Sequence, residues 1–150
     1  MKIIKTFLLL LLIGIGGRVH AQEFTKDMQD ALVADDAATL KTLVSKEQIN
    51  DCYGNYSLLS HAIQVNAAKC FDMLLDLGAD VNKTCNGYIP PLMHAAKYGR
   101  LDMAKKLVAK GANVRYTYNG NVAQLKGHTP LTYAQQFNQT AVADYLKTIK

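Results

Sequence analysis

The sequence lacks the short motifs that carry the best-known enzyme chemistries. It contains no HExxH motif, no glycine-rich phosphate loop placed after a strand, and no serine in a nucleophile elbow. Residues 81–150, which carry most of the basic residues, also contain no arginine-rich run of the kind that binds nucleic acid. We therefore expect a protein that is not an enzyme, that needs no cofactor and that has no nucleic-acid partner.

The first 21 residues have the layout of a cleaved secretory signal peptide. Lys2 and Lys5 give a charged start, residues 7–15 form an apolar run, and Val19-His20-Ala21 resembles an A-x-A cleavage site. A membrane anchor is the alternative, but the apolar run is well short of the roughly 20 residues that span a bilayer. We expect cleavage after Ala21 and export of residues 22–150 to a bacterial periplasm or the exterior, without stable membrane insertion.

Charge is unevenly distributed along the rest of the chain. Residues 22–80 carry 4 Lys and 10 Asp or Glu, a net charge of −6. Residues 81–150 carry 10 Lys or Arg and 2 Asp, a net charge of +8. The acidic and basic side chains could simply be solvated surface groups at opposite ends of the domain, or they could orient a charged partner during encounter. Both interpretations stay open at this point.

The stretch from Pro90 to Val114 contains a motif that recurs in the chain. It reads PPLMHAAKYGRLDMAKKLVAKGANV, with a Pro-Leu opening, an Ala pair, a central Gly and a Gly-Ala-Asn close. Both ends recur at an offset of 33 residues, because Ser57 precedes Pro90 and Gly78 precedes Gly111 by that distance. The pattern resembles the ankyrin repeat, whose period is about 33 residues and whose mark is T-P-L-H-x-A.

The resemblance implies an all-α solenoid of four helix-turn-helix units with β-hairpin fingers between them. Residues 115–126 add six residues to the period before the fourth unit. The Tyr116-Thr117-Tyr118-Asn119-Gly120 sequence there is typical of a hairpin, so we expect one extended finger. This finger is either a tolerated insertion or part of a binding surface. The units cover residues 24–51, 55–85, 88–118 and 127–150, with the first and last as caps.

The repeat register also predicts the residues that line the concave groove, where ankyrin proteins bind their partners. Equivalent positions on the first helix of each unit and tyrosines of the fingers are the candidates, since tyrosine is enriched at interface hot spots. The alternative is that several of these side chains pack beneath the fingers. The predicted partner-binding residues are His61, Val65, Tyr88, His94, Lys97, Tyr98, Tyr116, Tyr118, Tyr133 and Phe137.

Three cysteines in an exported chain suggest one disulfide and one free thiol. Cys70 falls at an apolar position of a second helix, where a thiol behaves as a small hydrophobe. Cys52 and Cys85 occupy equivalent places in adjacent fingers. Repeat stacking would hold their Cα atoms beyond the ~7 Å limit for a bridge unless the fingers lean together. We nevertheless expect a Cys52–Cys85 disulfide, because the compartment is oxidising.

Asp30, His61 and His94 occupy one equivalent position and could imitate a metal site. Neighbouring helices lie ~8–10 Å apart, however, whereas a His–Zn bond is ~2.1 Å long. We therefore expect polar groove residues and no metal. The predicted function is a non-enzymatic binding module, monomeric when unbound, that acts as an inhibitor or immunity-type protein. The alternatives are an adaptor or stabiliser of a periplasmic stress-defence enzyme and, third, a metal-binding or catalytic protein that uses the two histidines.

Overall fold

The structure, a computed structural model, describes residues 23–149. The predicted signal peptide at residues 1–21 lies outside this range. Within the range, eight α-helices pair into four helix-turn-helix units, which confirms the predicted repeat architecture. None of the helices among the described residues is long and apolar enough to cross a membrane. The helices are α1 (Lys26–Val33), α2 (Ala37–Leu43), α3 (Leu58–Val65), α4 (Ala68–Asp76), α5 (Pro91–Tyr98), α6 (Leu101–Ala109), α7 (Pro130–Gln136) and α8 (Thr140–Thr148).

Short elements lie in the connections between the units. Strands β1 (Cys52–Tyr53) and β2 (Tyr56–Ser57) pair antiparallel and form a hairpin finger that leads into α3. Two 3-10 helices span Lys46–Gln48, after α2, and Ala123–Leu125, in the inserted segment. The first, third, fifth and seventh helices form the inner layer of the molecule, and the other four form the outer layer.

The ends of the inner helices follow from their local sequence. Helix α5 begins at Pro91, where no backbone N–H is needed, and ends at Gly99 in the left-handed conformation with φ 66°. The equivalent helix α3 is capped by the Ser57 side chain and ends at Asn66, also left-handed with φ 62°. Asparagine tolerates this conformation better than most residues, so it can stand where α5 has glycine.

The hydrophobic core lies between the inner and outer layers. The equivalent residues Ala62, Ala95 and Ala134 are fully buried, and their small side chains let neighbouring helices approach closely. Leu74 and Leu107 of the outer layer are also fully buried and fill the space between the layers. Because each helix pair shares this core with the next pair, each unit depends on its neighbours for stability.

Side chains at the start of the outer helices bind back to the preceding unit. The Arg100 guanidinium donates to the carbonyls of Ile63 at 3.3 Å and Gln64 at 3.4 Å. Gln139, the equivalent residue of the fourth unit, donates to the carbonyl of Lys97 at 3.2 Å. These carbonyls belong to the last turns of inner helices, where C=O groups lack partners within the helix. Each of these two side chains therefore caps the inner helix of the unit before it.

A disulfide joins Cys52 and Cys85, the pair expected from the sequence, with Cα atoms 5.6 Å apart. The two adjacent fingers therefore lean together enough to bring these residues within bridging distance. The Asn86 side chain supports this approach by donating to the carbonyl of Gly54 at 2.9 Å. Cys70 is free and buried in α4.

The inserted segment 115–126 differs from the sequence prediction of a hairpin. In residues 23–149 the only sheet is the β1–β2 pair, and neither Asn119 nor Gly120 has the positive φ that a type I′ turn needs. Instead, the Tyr118 N–H donates to the carbonyl of His128, and the Tyr118 carbonyl accepts from the N–H of Gly127, both at 2.9 Å. The tight Asn119-Gly120 turn predicted for this segment is therefore not formed, and the bonds of Tyr118 with residues 127 and 128 close the segment as a wider loop.

Candidate functional site

Aromatic and imidazole rings form two series of ring contacts along the inner face of the molecule, which together we call the aromatic row. The Phe24 ring stacks on His61 with centroids 4.2 Å apart. Tyr56 then contacts His61 at 5.4 Å and His94 at 5.0 Å, so the series passes from the first unit to the third. The aromatic row consists of Phe24, Tyr56, His61, Tyr88, His94, Tyr98, Tyr133 and Phe137.

Lys97 connects the two parts of this row. Its ammonium nitrogen lies 5.2 Å from the centroid of the Tyr98 ring and 5.4 Å from that of Phe137. Both distances fall within the ~6 Å range of cation–π attraction. Among residues 23–149, Lys97 takes part in none of the ion pairs. The third and fourth units therefore present a cation that is flanked by two rings and free to meet an acceptor.

The repeat register explains why these rings meet. His94 and Tyr98 are four residues apart at the end of α5, and their rings stack with centroids 6.4 Å apart. Tyr133 and Phe137 have the same spacing in the fourth unit, with centroids 4.9 Å apart. Residues at positions i and i+4 of a helix are neighbours on one face. The series thus depends on the same helix positions being aromatic in consecutive units.

His61 is held by its neighbours and stays uncharged. Burial lowers the pKa of its imidazole, and a hydrogen bond with the Tyr53 carbonyl, at 3.2 Å, offsets part of that effect. Because a carbonyl can only accept, the Nε2 of His61 carries the proton in this bond. The ring is thus a rigid apolar surface with its polar edge turned toward the finger.

His94 lies at the floor of the groove and has a different environment. It is only 3% exposed, and neither ring nitrogen has a hydrogen-bond partner within residues 23–149. The pKa of His94 is lowered to about 3, mainly by burial, with smaller contributions from the positive charge of Lys97 and from interaction with the His61 imidazole. The imidazole is therefore neutral at physiological pH, with one donor and one acceptor unused.

Tyrosine hydroxyls gather near the centre of the row. Burial raises the pKa of Tyr56, and the neighbouring Tyr88 and Tyr98 hydroxyls raise it further. Burial also raises the pKa of Tyr133, with added contributions from Tyr98 and Tyr56. These phenols stay protonated, so they can both donate and accept hydrogen bonds at the surface of the groove.

Apolar side chains are exposed at both ends of the row. Phe137 is 37% exposed beside Lys97, and Val65 is 45% exposed at the end of α3. Val65 borders a shallow depression whose lining includes Phe24, Val33 and His61. Large apolar groups exposed at positions that face one groove indicate a contact surface.

The structure places the ten predicted site residues in three different environments. Val65 and Phe137 are exposed, and His94, Tyr118 and Tyr133 are buried. The remaining five are half-buried, namely His61, Tyr88, Lys97, Tyr98 and Tyr116.

The prediction for Tyr118 is corrected by its environment. Its ring is wholly buried in a second hydrophobic cluster with Ile89, Met93 and Tyr133, and Tyr116 packs against the same cluster. Tyr118 therefore supports the inserted segment from within and cannot belong to an exposed surface. Tyr116 has no ring contact with the aromatic row in the described part of the chain.

Two members of the aromatic row were not among the predicted site residues. Phe24 precedes α1 and falls outside the helix positions that the repeat register compares. Tyr56 lies in β2 of the finger, where a tyrosine can equally well cover the hairpin. Tyr88 lies 32 residues later, one residue short of the repeat period, so the register did not pair the two tyrosines, whose ring centroids lie 5.5 Å apart.

The three polar residues that could imitate a metal site are not brought together. Asp30 forms an ion pair with Lys26, His61 is bonded to the Tyr53 carbonyl, and His94 is enclosed by rings. Nowhere in residues 23–149 do three His, Cys, Asp or Glu side chains converge as metal ligands would.

Comparisons with known proteins agree with the repeat architecture. The family model described as ankyrin repeats (3 copies) matches residues 28–118 and, in a second overlapping match, residues 82–149. An ankyrin repeat protein of Fowlpox virus (strain NVSL) is 29% identical over 123 residues, which cover 80% of this chain and 20% of the viral protein. The chain thus spans about a fifth of the length of this curated relative.

Proposed function

Because the chain belongs to the ankyrin-repeat family, we propose that it is a non-enzymatic module that binds a partner protein along the aromatic row. Ankyrin repeats are generally protein–protein interaction modules. The observation that carries the proposal is the position of Lys97, whose ammonium is held between the rings of Tyr98 and Phe137. Aromatic side chains are typical of the energetic centre of an interface, and the ammonium between these two rings has no counter-charge among residues 23–149.

The groove is ordered before any partner arrives. The row members contact one another, and the Cys52–Cys85 disulfide together with the Asn86–Gly54 hydrogen bond fixes the fingers beside them. A surface that is already ordered loses little side-chain and loop entropy on binding. The partner therefore meets a rigid platform, with apolar contacts available at Val65 and Phe137.

In the cell, we propose that the protein acts after export, as an inhibitor or immunity-type protein that occludes an enzyme or toxin in the periplasm. The Cys52–Cys85 disulfide supports an exported location, because such bonds persist in oxidising compartments and are rare in the cytosol. The charged, apolar and small-residue order of residues 1–21 supports the same location.

An adaptor or stabiliser of a periplasmic enzyme is the alternative form of this role. The two forms share the binding surface and differ in their effect on the partner. An inhibitor lowers the turnover of a captured enzyme in proportion to occupancy. A stabiliser leaves turnover unchanged and raises the temperature at which the enzyme unfolds, because it binds the folded state alone.

The binding proposal is tested with the purified protein and a partner captured from the periplasm of its source. The Tyr98→Ala/Phe137→Ala double variant should weaken the affinity for that partner by at least about tenfold, because it removes two central aromatic contacts. Tyr145→Ala changes a half-buried tyrosine of the outer helix α8 and should bind like the parent. Equal affinity of a folded double variant, checked by circular dichroism, would exclude the aromatic row as the binding surface.

A further inference from the structure

The inner helices and connecting segments after residue 80 carry basic residues and no acidic residue. Within residues 81–100 and 113–137 there are five Lys or Arg and no Asp or Glu. The only acidic residues after position 80 are Asp102 and Asp144, which lie on the outer helices α6 and α8. The five basic residues are Lys83, Lys97, Arg100, Arg115 and Lys126.

Most of these cations have no counter-charge within the described chain. The three ion pairs among residues 23–149 involve Lys26, Lys106 and Lys147, none of which belongs to this set. Only Arg100 is occupied, since its guanidinium donates to two backbone carbonyls of the preceding unit. The other four have no counter-charge within residues 23–149, so this half of the molecule carries an unbalanced positive charge that attracts negative charge.

Lys97 is the best placed of the four to contact a ligand directly. The rings of Tyr98 and Phe137 flank its ammonium on the inner face of the third and fourth units, and Phe137 is 37% exposed beside it. His94 lies one turn earlier on the same face of α5 and leaves both ring nitrogens unpartnered. A carboxylate that approaches Lys97 gains a cation, and the buried imidazole beneath it is neutral and does not compete as an acid.

The other end of the groove has the opposite character. Glu23, Asp27 and Asp30 lie at or near the start of α1, and among residues 23–149 Asp30 is the only one of the three in an ion pair, with Lys26. An acidic ligand is therefore repelled from the first unit and attracted to the third and fourth. The difference in sign along the groove fixes the position at which an acidic segment lies.

From this arrangement we propose that the partner presents an acidic segment, in which a carboxylate side chain pairs with Lys97 and an adjacent apolar side chain packs on Phe137. This inference rests on the proposed binding function and names the chemistry of its ligand. Charge complementarity of this kind speeds encounter and fixes register, and the exposed ring supplies the short-range contact.

The test uses random peptides displayed on phage and selected against the purified, oxidised protein. Selected peptides should contain Asp or Glu next to an aromatic or large aliphatic residue, and added salt should weaken their binding. Lys97→Met should raise their Kd by about tenfold or more, because it removes a charge partner at the centre of the contact. Lys105→Met is the matched control, since the Lys105 ammonium also lies over a tyrosine ring, Tyr145 at 5.9 Å, but on the outer layer. That variant should leave Kd unchanged.

Several results would contradict the acidic ligand, and they distinguish its failure from a failure of the proposed binding function. If the selected peptides are neutral or basic and still require Tyr98 and Phe137, the ligand is not acidic, but the aromatic row remains the binding surface. Selected peptides whose binding does not depend on Lys97, Tyr98 or Phe137 would contradict both the acidic ligand and the aromatic row as the binding surface. If no class of peptide is selected, the ligand is not a linear acidic segment. If single-stranded RNA binds more tightly than the selected peptides, and this binding depends on Lys97, the ligand is a nucleic acid and not a protein. Concentration-dependent self-association that Lys97→Met abolishes, seen by sedimentation, would assign the groove to a second copy of the chain.

Discussion

The carboxylate of Asp35 accepts a hydrogen bond from the backbone N–H of Cys70 at 2.9 Å, across the boundary between the first two units. It also accepts one from the N–H of Lys69 at 3.1 Å. These N–H groups open helix α4, whose own N-cap residue, Ala67, provides no side-chain cap. Asp35 therefore provides, from the neighbouring unit, the cap that the sequence of α4 lacks.

Replacement of Asp35 by alanine should lower the free energy of unfolding by about 1–2 kcal/mol, as the loss of a helix cap does. Asp35→Asn should cost less, because asparagine keeps an acceptor and tolerates the φ of 51° at this position. Urea unfolding at pH 7 measures both variants. Equal losses for the two variants would mean that charge, and not the hydrogen bonds, links the units.

The same pair of variants tests a pH dependence. Burial alone would raise the pKa of Asp35, but the hydrogen bonds from Cys70 and Lys69 outweigh it and hold the pKa below its usual value. A lowered carboxyl pKa contributes stability above the ordinary value of 3.8, and this contribution disappears as the pH falls through the folded-state pKa. Asp35→Asn should therefore lose less stability than the parent on acidification, and a parallel decline in both would contradict this assignment.

Removal of the Cys52–Cys85 disulfide should destabilise the protein strongly. The bond closes a loop with a sequence separation of 33, for which loop-closure entropy gives a loss of about 3–4 kcal/mol. Urea unfolding with and without reductant measures the effect on the parent. The Cys52→Ala/Cys85→Ala variant is the control and should show no response to reductant, whereas a response there would point to the third cysteine.

Gly99 and Gly111 form a matched pair of left-handed glycines at helix ends. A Cβ at Gly99 would lie 2.2 Å from the Oε1 of Gln139, whereas a Cβ at Gly111 would meet nothing within 4 Å. Gly111→Ala should cost only the ~1 kcal/mol typical of a positive φ, and Gly99→Ala should cost at least about 1 kcal/mol more, because it also disturbs the bond from Gln139 to Lys97. Similar midpoints in thermal unfolding would show that Gln139 moves aside freely.

Tyr118→Phe should destabilise the inserted segment. The Tyr118 hydroxyl donates to the carbonyl of Gly87 at 2.7 Å and accepts from the N–H of Val122 at 3.1 Å. Its loss removes two part-buried hydrogen bonds, each of which contributes about 0.5–1.5 kcal/mol. Tyr116→Phe removes a hydroxyl with no such bonds among residues 23–149 and should be nearly neutral. Urea unfolding compares the two, and an equal effect would contradict the role given to the Tyr118 hydroxyl.

The helices and the groove were predictable because their signals recur with the repeat period. Residues such as His94 and Phe137 align with equivalent positions in the other units, so the repeat register alone predicts that they lie on the inner face. Tyr118 was misplaced because Asn119-Gly120 is a purely local signal for a turn. The hydroxyl bond to Gly87, which lies 31 residues earlier, decides the conformation of the inserted segment. Such a contact depends on the stacking of two units and produces no repeating pattern in the sequence, so it could not be predicted from the sequence.

His94 should make the stability of the protein depend on pH between neutrality and mild acid. Its folded-state pKa of about 3 lies below the ordinary value of 6.5, so the unfolded chain binds the proton more tightly. The free energy of unfolding should therefore be highest above pH 6.5 and fall, by on the order of 1.4 kcal/mol per pH unit, until the pH approaches the folded-state value. His94→Phe keeps an aromatic ring in the row and removes the titrating group. This variant should lose less stability than the parent between pH 7 and pH 5, as measured by urea unfolding. Equal losses would show that the imidazole finds a partner when it is protonated, and that the floor of the groove can accept charge.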